Sequence, residues 1–496
     1  MFAAEQPKTA RHTVHKIGGT SMSEVDAVMN NVLVGKLTGK ELYNRIFVVS
    51  AYGGMTNLLL ENKKTGEPGV YALYAGSESE WAWGDALTNV ARKMAEVNAE
   101  IFTDTVDLNL ANAFVQERVE GTRSCLMDLH RLCTFGHFKL EQHLLTVREM
   151  LSAIGEAHSA HNTMLLLRRQ GIDAVFVDLS GWREQDQSLT LDQRIEKSFD
   201  GIDVSQELPI VTGYAQCSEG LMRLYGRGYS EVTFARIASL SNAKEALIHK
   251  EYHLSSADPK IVGANEVRPI GRTNYDVADQ LSNMGMEAIH PRAAKGLRQK
   301  GIPLRVVNTF EPDHAGTTIE DDWTPEVSKA EIVTGLDSAY EVEVFDQDMV
   351  GVPGAGEAAS ATFKRFKVSI VTSSINANTR TYYVHAPLKQ VRRCVDEIGK
   401  AYPDARINTR KVSIVSVIGA NLNAAALLGD ALIRLKQDGV SVLGSFAPSR
   451  GIDMQFVVAE SDFRQAISIL HDQFVSQAEN LSPKQREPKA QADLAA

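Results

Sequence analysis

The chain has 496 residues, of which 44% are hydrophobic and 23% charged, and its formal net charge is −10 at pH 7. This composition is typical of a globular protein of several domains, and the scattered basic residues argue against a nucleic-acid-binding surface. No apolar run reaches the length of a membrane span, so no membrane partner is expected. The start lacks the apolar core of a signal peptide, and the four cysteines have neither metal-ligand nor disulfide spacing. These features favour the cytoplasm.

The first strand, Thr13 to Ile17, runs directly into Gly18 and Gly19, and a helix-compatible stretch follows from Glu24 to Val34. Paired glycines let backbone N–H groups turn inward, and the N-terminus of a helix favours anions. Lys16 adds a point charge beside this turn. The pattern predicts a phosphate-binding loop, with an ordinary strand–helix turn and a surface lysine as the alternative. It is neither a Walker A loop nor a dinucleotide fingerprint.

The same order of features occurs a second time. A buried-type strand from Arg45 to Ser50 leads into Gly53 and Gly54, then Thr56 and an apolar helix from Leu58. Ligands of open α/β sheets bind at the carboxyl ends of the strands, so the two loops are expected to line one cleft.

The alternation of strands, glycine turns and helices is then interrupted, and a helical insertion is predicted at about 61–136. A long helical pattern follows at 140–169, and it contains Gly155 and Glu156. Glycine inside a helix costs about 1 kcal/mol relative to alanine, which indicates close approach of another group at Gly155. Glu156 is then a candidate site residue, although a solvated carboxylate is equally compatible with the pattern.

Strands at 174–178 and 208–213 precede Gly226-Arg227-Gly228, and Ser230 and Glu231 fall at the start of the next helix. An exposed guanidinium can bind a carboxylate bidentately, whereas a capped helix with a surface arginine is the alternative. Further strands and helices alternate as far as residue 320, which predicts a mostly parallel sheet.

Composition turns polar at 321–326, and the units then become shorter. Two α+β modules are predicted, at 332–402 and 410–477, and their strands include 340–345 and 411–417. A disordered tail is predicted at 478–496. Gly354 to Ala359 matches G-x-G-x-x-A, but a loop separates it from the preceding strand and no acidic residue stands about 20 residues further on. A dinucleotide site is therefore rejected.

Taken together, these motifs resemble those of the aspartate kinases (aspartokinases), which have the amino acid kinase (carbamate kinase-like) fold followed by two ferredoxin-like ACT modules. The resemblance places the kinase domain at 12–320. It rests on seven motifs in the family's order: Lys16-Ile17-Gly18-Gly19-Thr20-Ser21, Ser50-Ala51-Tyr52-Gly53-Gly54-Met55-Thr56, Ser152-Ala153-Ile154-Gly155-Glu156, Gly226-Arg227-Gly228-Tyr229-Ser230-Glu231, Asp258-Pro259-Lys260, His290-Pro291-Arg292 and Asn308-Thr309-Phe310.

The resemblance implies phosphorylation of the side-chain carboxylate of L-aspartate by ATP and Mg²⁺. Lys16 and Glu231 would be catalytic, and no protein residue is assigned to the metal. Glu231 is expected to pair with Lys16, although glutamate is one methylene longer than the aspartate of the family. The implied ATP-binding residues are Lys16, Gly18, Gly19, Lys250, Glu251 and Lys260, and the implied aspartate-binding residues are Thr56, Glu156, Arg227 and Ser230.

The chain departs from the family pattern at four places. Tyr229 replaces the second glycine of the Gly-Gly pair in Gly-Arg-Gly-Gly-Ser-Asp, and Glu231 replaces the Asp. His249-Lys250-Glu251 replaces Trp-Thr-Asp. Glu287 stands where a lysine is expected, which gives the hypothesis that Lys250 or Lys260 supplies the missing charge. The Ile17 form of the first loop and the sequence Gly228-Tyr229-Ser230-Glu231 resemble the branch that accompanies ectoine synthesis.

Two other functions remain open at this point. One is an amino acid sensor that kept the fold and lost turnover, which only Glu231, Lys250 and Glu287 favour. The other is a glutamate or uridylate kinase of the same fold, which the C-terminal modules and the pair of Arg227 and Glu156 disfavour. By resemblance, the chain forms a homodimer or homotetramer, and lysine or threonine is the expected effector, with 349–357 as the loop to inspect.

Overall fold

The computed structural model describes residues 12–76, 79–184, 188–286 and 288–476. These residues form two compact units. The first comprises the described residues up to 253 together with 289–321, and the second comprises 254–288 and the described residues from 322 onward. The kinase domain predicted at 12–320 is continuous, whereas residues 254–288 pack within the second unit. Glu287 and the predicted tail at 478–496 lie outside the described residues.

The strands, in chain order, are β1 (Thr13–Ile17), β2 (Arg45–Val49), β3 (Ala174–Val177), β4 (Leu208–Thr212), β5 (Glu245–Lys250), β6 (Arg272–Asn274), β7 (Leu304–Asn308), β8 (Thr317–Glu320), β9 (Ile332–Phe345), β10 (Ser369–Asn376), β11 (Thr379–His385), β12 (Arg406–Ile418), β13 (Val442–Phe446) and β14 (Asp453–Val458).

The α-helices are α1 (Gly19–Ser23), α2 (Val25–Val28), α3 (Met55–Leu59), α4 (Val70–Ala75), α5 (Glu80–Ile101), α6 (Thr105–Thr134), α7 (Leu144–Arg169), α8 (Leu191–Ser198), α9 (Leu221–Tyr225), α10 (Tyr229–Leu240), α11 (Pro259–Val262), α12 (Tyr275–Asn283), α13 (Pro291–Gln299), α14 (Glu357–Arg365), α15 (Leu388–Ala401), α16 (Ala424–Gln437) and α17 (Phe463–His471). Short 3₁₀ segments occur at Gly39–Leu42, Leu140–Gln142, Gly226–Gly228, Gln347–Met349 and Glu460–Asp462, and π-turns at Met29–Leu33 and Asp472–Ser476.

In the first unit the strand order is β3-β4-β2-β1-β5-β7-β8. Every pair is parallel except β7 with β8, which confirms the predicted mostly parallel sheet. Strands β2 and β4 are buried along their whole length, as expected of parallel strands covered on both faces. Helices α4, α5 and α6 occupy the stretch of the predicted insertion.

The helix predicted from Glu24 to Val34 differs in the structure. Helix α1 begins earlier, at Gly19, and ends at Ser23. The next residue, Glu24, has φ −96° and ψ 66°, which lie outside the helical region and interrupt the helix. Two short helices and a π-turn therefore replace the single helix. The start at Gly19 follows directly from the glycine pair, so the N–H groups of the first turn lie at the end of β1.

The second unit contains one antiparallel six-stranded sheet, of order β10-β11-β9-β12-β14-β13. The two predicted modules therefore share a sheet. The long strands β9 and β12 pair with each other from Ile332↔Ile418 to Phe345↔Arg406, with a register shift between Val412 and Ile414. The expected strands at 340–345 and 411–417 are each only a part of these longer strands. No described helix of either unit is long and apolar enough to cross a membrane.

Candidate active site

The two glycine loops meet at the carboxyl ends of β1 and β2, which are parallel neighbours. A Cβ atom at Gly19 would lie 2.7 Å from the Ala51 carbonyl oxygen, and the N–H of Gly53 donates to Ser23 Oγ at 2.7 Å. The prediction that both loops line one region is confirmed. Gly155 lies against the second loop, because its Cβ would be 2.8 Å from that of Ala51. The expected close approach at this helical glycine is therefore also confirmed.

Four charged or polar side chains converge beside these loops. Lys16 projects from β1, Glu156 from α7, and Ser230 and Glu231 from the first turn of α10. Ser230 Oγ donates to Glu156 Oε1 at 2.8 Å, and Lys16 Nζ lies 3.7 Å from Glu231 Oε1. The pairing expected between Lys16 and Glu231 is thus present despite the extra methylene of glutamate.

Glu156 is buried, and its pKa differs strongly from that of an ordinary glutamate. Burial raises its pKa to about 8, while the Ser230 hydroxyl, the charge of Lys16 and the N–H of Tyr214 act in the opposite direction. Its second oxygen, Oε2, is buried and accepts no hydrogen bond from any described residue. A buried acceptor without a donor is costly, so this oxygen fits a ligand that donates.

Glu231 links the lysine to another motif. Its Oε2 accepts a hydrogen bond from the His290 N–H at 2.5 Å, and His290 precedes α13 as its N-cap. The ring of His290 packs so closely on Gly228 that a Cβ there would lie 2.5 Å from Cδ2. Two motifs that are distant in the sequence are therefore joined through one carboxylate.

Arg227 lies in the 3₁₀ segment before α10. Its guanidinium donates to Asn57 Oδ1 and to the carbonyl oxygen of Glu61, which connects it to α3. Thr56 is on α3, directly before Asn57. Tyr229, at the position of the family's second glycine, is buried and packs edge-on against Tyr214, with ring centroids 5.6 Å apart.

The predicted nucleotide residues divide between the two units. Lys250 and Glu251 follow His249 at the end of β5, where the His249 carbonyl oxygen accepts from the Gly18 N–H at 3.2 Å. Lys260 belongs to the second unit, in the first turn of α11, with its N–H bonded to Asp258 Oδ1. The structure thus brings Lys250 and Glu251, but not Lys260, into the unit that contains the glycine loops.

His249 itself is a core residue. Its Nε2 is 2.9 Å from His15 Nδ1, and the two rings stack. Burial lowers the pKa of both rings, that of His249 to about 3, so the pair is neutral near pH 7. This departure from the family pattern is explained by packing between β1 and β5.

Sequence reasoning missed three residues around the site. Gly213 follows β4, and Glu61 and Arg148 form an ion pair beside Arg227. For Gly213 the sequence did contain a signal, because the strand predicted at 208–213 ends in this glycine. Nothing local indicates that Glu61 and Arg148, which are 87 positions apart, contact each other.

Gly213 offers a direct test of the close packing. A Cβ there would lie 2.8 Å from Ser230 Cβ, 2.9 Å from the Val49 carbonyl oxygen and 3.0 Å from Glu156 Oε1. We expect Gly213→Ala to lower the free energy of unfolding by about 1–3 kcal/mol and to reduce activity more than stability alone explains. Gly84→Ala on α5, where the nearest heavy atom would be 3.7 Å away, is the matched control. A Gly213 variant indistinguishable from that control in urea unfolding and in turnover would contradict the packing argument.

Comparison with known proteins agrees with this geometry. Residues 11–308 match the model of the amino acid kinase family. The chain is 48% identical over 460 residues to aspartate kinase Ask_Ect of Stutzerimonas stutzeri, covering 93% of this chain and 96% of that protein. The chain therefore belongs to the amino acid kinase family, and within it to the aspartate kinases. The resemblance to the ectoine-associated branch is confirmed.

Solved structures show the same fold. Escherichia coli aspartokinase III in complex with lysine and aspartate matches with a TM-score of 0.70 at 16% identity, covering 94% of this chain and 99% of that one. The same enzyme with aspartate and ADP also gives 0.70, at 17% identity and 93% and 99% coverage. The amino acid kinase fold followed by ACT modules is confirmed.

Proposed function

We propose that this kinase transfers the γ-phosphoryl group of ATP to the side-chain carboxylate of L-aspartate, giving 4-phospho-L-aspartate. The product is that of the first step of the aspartate-family pathway, and here it would feed ectoine synthesis. The observation that carries the proposal is the buried Glu156 with its unpartnered Oε2, beside Lys16 and two glycine loops.

Recognition of aspartate is assigned to four residues. Glu156, bonded to Ser230 at 2.8 Å, would accept the substrate ammonium group at Oε2. Arg227 would bind the α-carboxylate, since a planar guanidinium suits bidentate contact with a carboxylate. Thr56, next to the Asn57 side chain that holds Arg227, would contribute a hydroxyl. Opposite charges at the two ends of the site would select an amino acid over a plain dicarboxylate.

Transfer itself needs alignment and charge stabilisation. The nucleophile is a carboxylate with an ordinary pKa of about 3.9, so it is ionised at pH 7 without a general base. Lys16 would hold the transferring group, and the N–H groups of Gly18 and Gly19 would surround its oxygens. A side chain at Gly19 would clash with the second loop, so the proposed phosphate-binding turn requires glycine at this position. Glu231 would fix the position of Lys16.

ATP and Mg²⁺ fit this arrangement. Among the described residues, no group of three or more His, Cys, Asp or Glu side chains could hold a metal ion. Mg²⁺ keeps several water ligands and binds largely through substrate phosphates at kinase sites, so no protein residue is assigned to it here. When bound, the ion supplies neutralisation of phosphate charge.

For the nucleotide we propose Lys250, Glu251 and Lys260, with Lys250 or Lys260 replacing the lysine that the family has at Glu287. Replacing Lys250 by alanine is expected to raise the Michaelis constant for ATP about tenfold, because one charge contact to phosphate is lost. Steady-state kinetics at saturating aspartate measure this. Lys244→Ala is the control, because Lys244 is exposed and lies directly before the opposite end of β5. An unchanged Michaelis constant for ATP in Lys250→Ala would refute the role of Lys250.

Regulation and assembly are proposed on the same family basis. Lysine or threonine would bind the ACT modules, with residues 349–357 as the first place to test, and the chain would form a homodimer or homotetramer. The four cysteines are free, which suits the reducing cytoplasm proposed for the protein.

The test of the function is trapping of aspartyl phosphate with hydroxylamine, in the presence of ATP and Mg²⁺. Hydroxamate that depends on L-aspartate, ATP and Mg²⁺ is the expected result. A well-folded protein that forms none would overturn the proposal and leave an amino acid sensor.

A further inference from the structure

We propose that Arg148 is a positioning residue for substrate binding: it holds the Glu61 carboxylate so that Glu61 does not close into a direct hydrogen bond with Arg227. The inference rests on the proposed function of Arg227 as the ligand of the aspartate α-carboxylate. Neither Arg148 nor Glu61 belongs to the motifs that define the site.

Arg148 occupies both oxygens of the Glu61 carboxylate. Its Nη1 is 2.8 Å from Oε2 and its Nη2 is 2.5 Å from Oε1, which is a bidentate pair. The Arg148 guanidinium also lies over the Tyr71 ring, 4.6 Å from its centroid. Because the guanidinium is fixed from two sides, the carboxylate it binds is fixed as well. The hydrogen bond from Arg148 is the largest cause of the lowered pKa of Glu61, which is therefore ionised.

Arg227 is held differently: its hydrogen bonds go to two neutral acceptors, and it forms only a longer ion pair with the Glu61 carboxylate. It donates to the amide oxygen of Asn57 and to the backbone oxygen of Glu61, while its closest approach to the Glu61 carboxylate is 3.6 Å. At that separation the carboxylate is no direct hydrogen-bond partner. These contacts orient the guanidinium, and Glu61 balances its charge only in part because the same carboxylate is hydrogen-bonded to Arg148.

The charges of this cluster leave room for one more anion. Two guanidinium groups, of Arg148 and Arg227, share the single carboxylate of Glu61. The cluster is only partly exposed, so its charges are less screened than surface charges. A carboxylate ligand at Arg227 would balance it, which matches the chemistry of the proposed substrate.

Removal of Arg148 has a specific consequence. The Glu61 carboxylate would lose both hydrogen bonds and would need to move by less than about 1 Å to bond Arg227 directly, given the N···O distances of hydrogen bonds. Glu61 would then act as an internal competitor of the substrate carboxylate. The defect should therefore be relieved, rather than worsened, by also removing the charge of Glu61.

The experiment compares Arg148→Met with the double variant Arg148→Met/Glu61→Gln in the hydroxylamine assay. We expect the single variant to raise the Michaelis constant for aspartate about tenfold, with a much smaller change in that for ATP. The double variant should recover most of this loss. Arg92→Met, which removes a guanidinium paired with Glu96 on the exposed face of α5, is the matched control.

A double variant as impaired as the single one, or an equal rise in the Michaelis constant for ATP, would overturn the inference. Thermal unfolding of each variant identifies loss of fold. If Arg148→Met does not fold, Arg148→Lys keeps the charge but not the bidentate geometry, and it should give an intermediate rise that the Glu61→Gln change again relieves. Failure of the proposed function is distinguishable, because wild type would then form no hydroxamate at all.

Discussion

Lys16→Met is expected to lower kcat for aspartyl phosphate formation by about 10²- to 10³-fold. The side chain leaves strand β1 one residue before its end, with only Ile17 between Lys16 and the glycine pair. It is largely buried, and its Nζ faces Glu231 at 3.7 Å. Methionine retains most of the apolar stem, so the change removes the charge rather than the packing. Stabilisation of charge on the transferring group is the contribution that is lost.

The matched control is Lys36→Met, because Lys36 is exposed and forms only a surface pair with Asp313 at 2.7 Å. A surface pair of this kind contributes little to stability. Circular dichroism and thermal unfolding of both variants establish that the fold is retained. A Lys16 variant with more than about a tenth of wild-type kcat would show that the lysine is not the main electrostatic contact, given the size of such effects.

Glu156→Gln is expected to raise the Michaelis constant for aspartate about 100-fold, since a buried carboxylate that would pair with the substrate ammonium becomes neutral. In wild type, the pKa of Glu156 is raised to about 8 by burial, so the free site is mostly protonated at pH 7. An ammonium ligand needs the ionised form. Aspartate binding should therefore release a proton at pH 7, and affinity should fall as pH decreases below about 8.

Calorimetric titration of aspartate in two buffers of different ionisation enthalpy measures this proton. The glutamine variant should release none from this position. Wild-type affinity that is independent of pH between 6 and 8 would contradict the assignment, since that range lies below the folded-state pKa of about 8.

The same substitution should stabilise the fold at alkaline pH. The folded-state pKa of Glu156 lies above the ordinary value of 4.5, so the stability that the neutral acid provides is complete below pH 4.5 and is lost as pH rises through about 8. Glutamine stays neutral throughout. At pH 9 the variant should thus melt roughly 5 °C above wild type, which separates lost binding from lost fold.

The parts of the site that local patterns could predict were those carried by short motifs. Gly18 and Gly19, the second loop, and Glu156 next to the helical Gly155 all lie where strand and helix signals placed them. The ion pair of Arg148 and Glu61 could not be found in this way, because it depends on tertiary packing between α7 and the end of α3.

The same distinction explains the differences in fold. Strands are predicted at 340–345 and 411–417, but their extension back to Ile332 and Arg406 depends on pairing with each other across the sheet. Similarly, nothing in the composition of 254–288 separates it from the flanking kinase stretches. This segment belongs to the second unit because its tertiary contacts are with residues of that unit.

The length of β9 and β12 has a consequence for how the C-terminal part of the chain can change. Each of these two strands serves both halves of the sheet, so neither half possesses a complete set of hydrogen-bond partners without the other. A chain ending after residue 402 would lose all of β12 and expose the full edge of β9. Deletion of one module alone would therefore leave the central strand of the other without its partner, so we expect the two modules to unfold together.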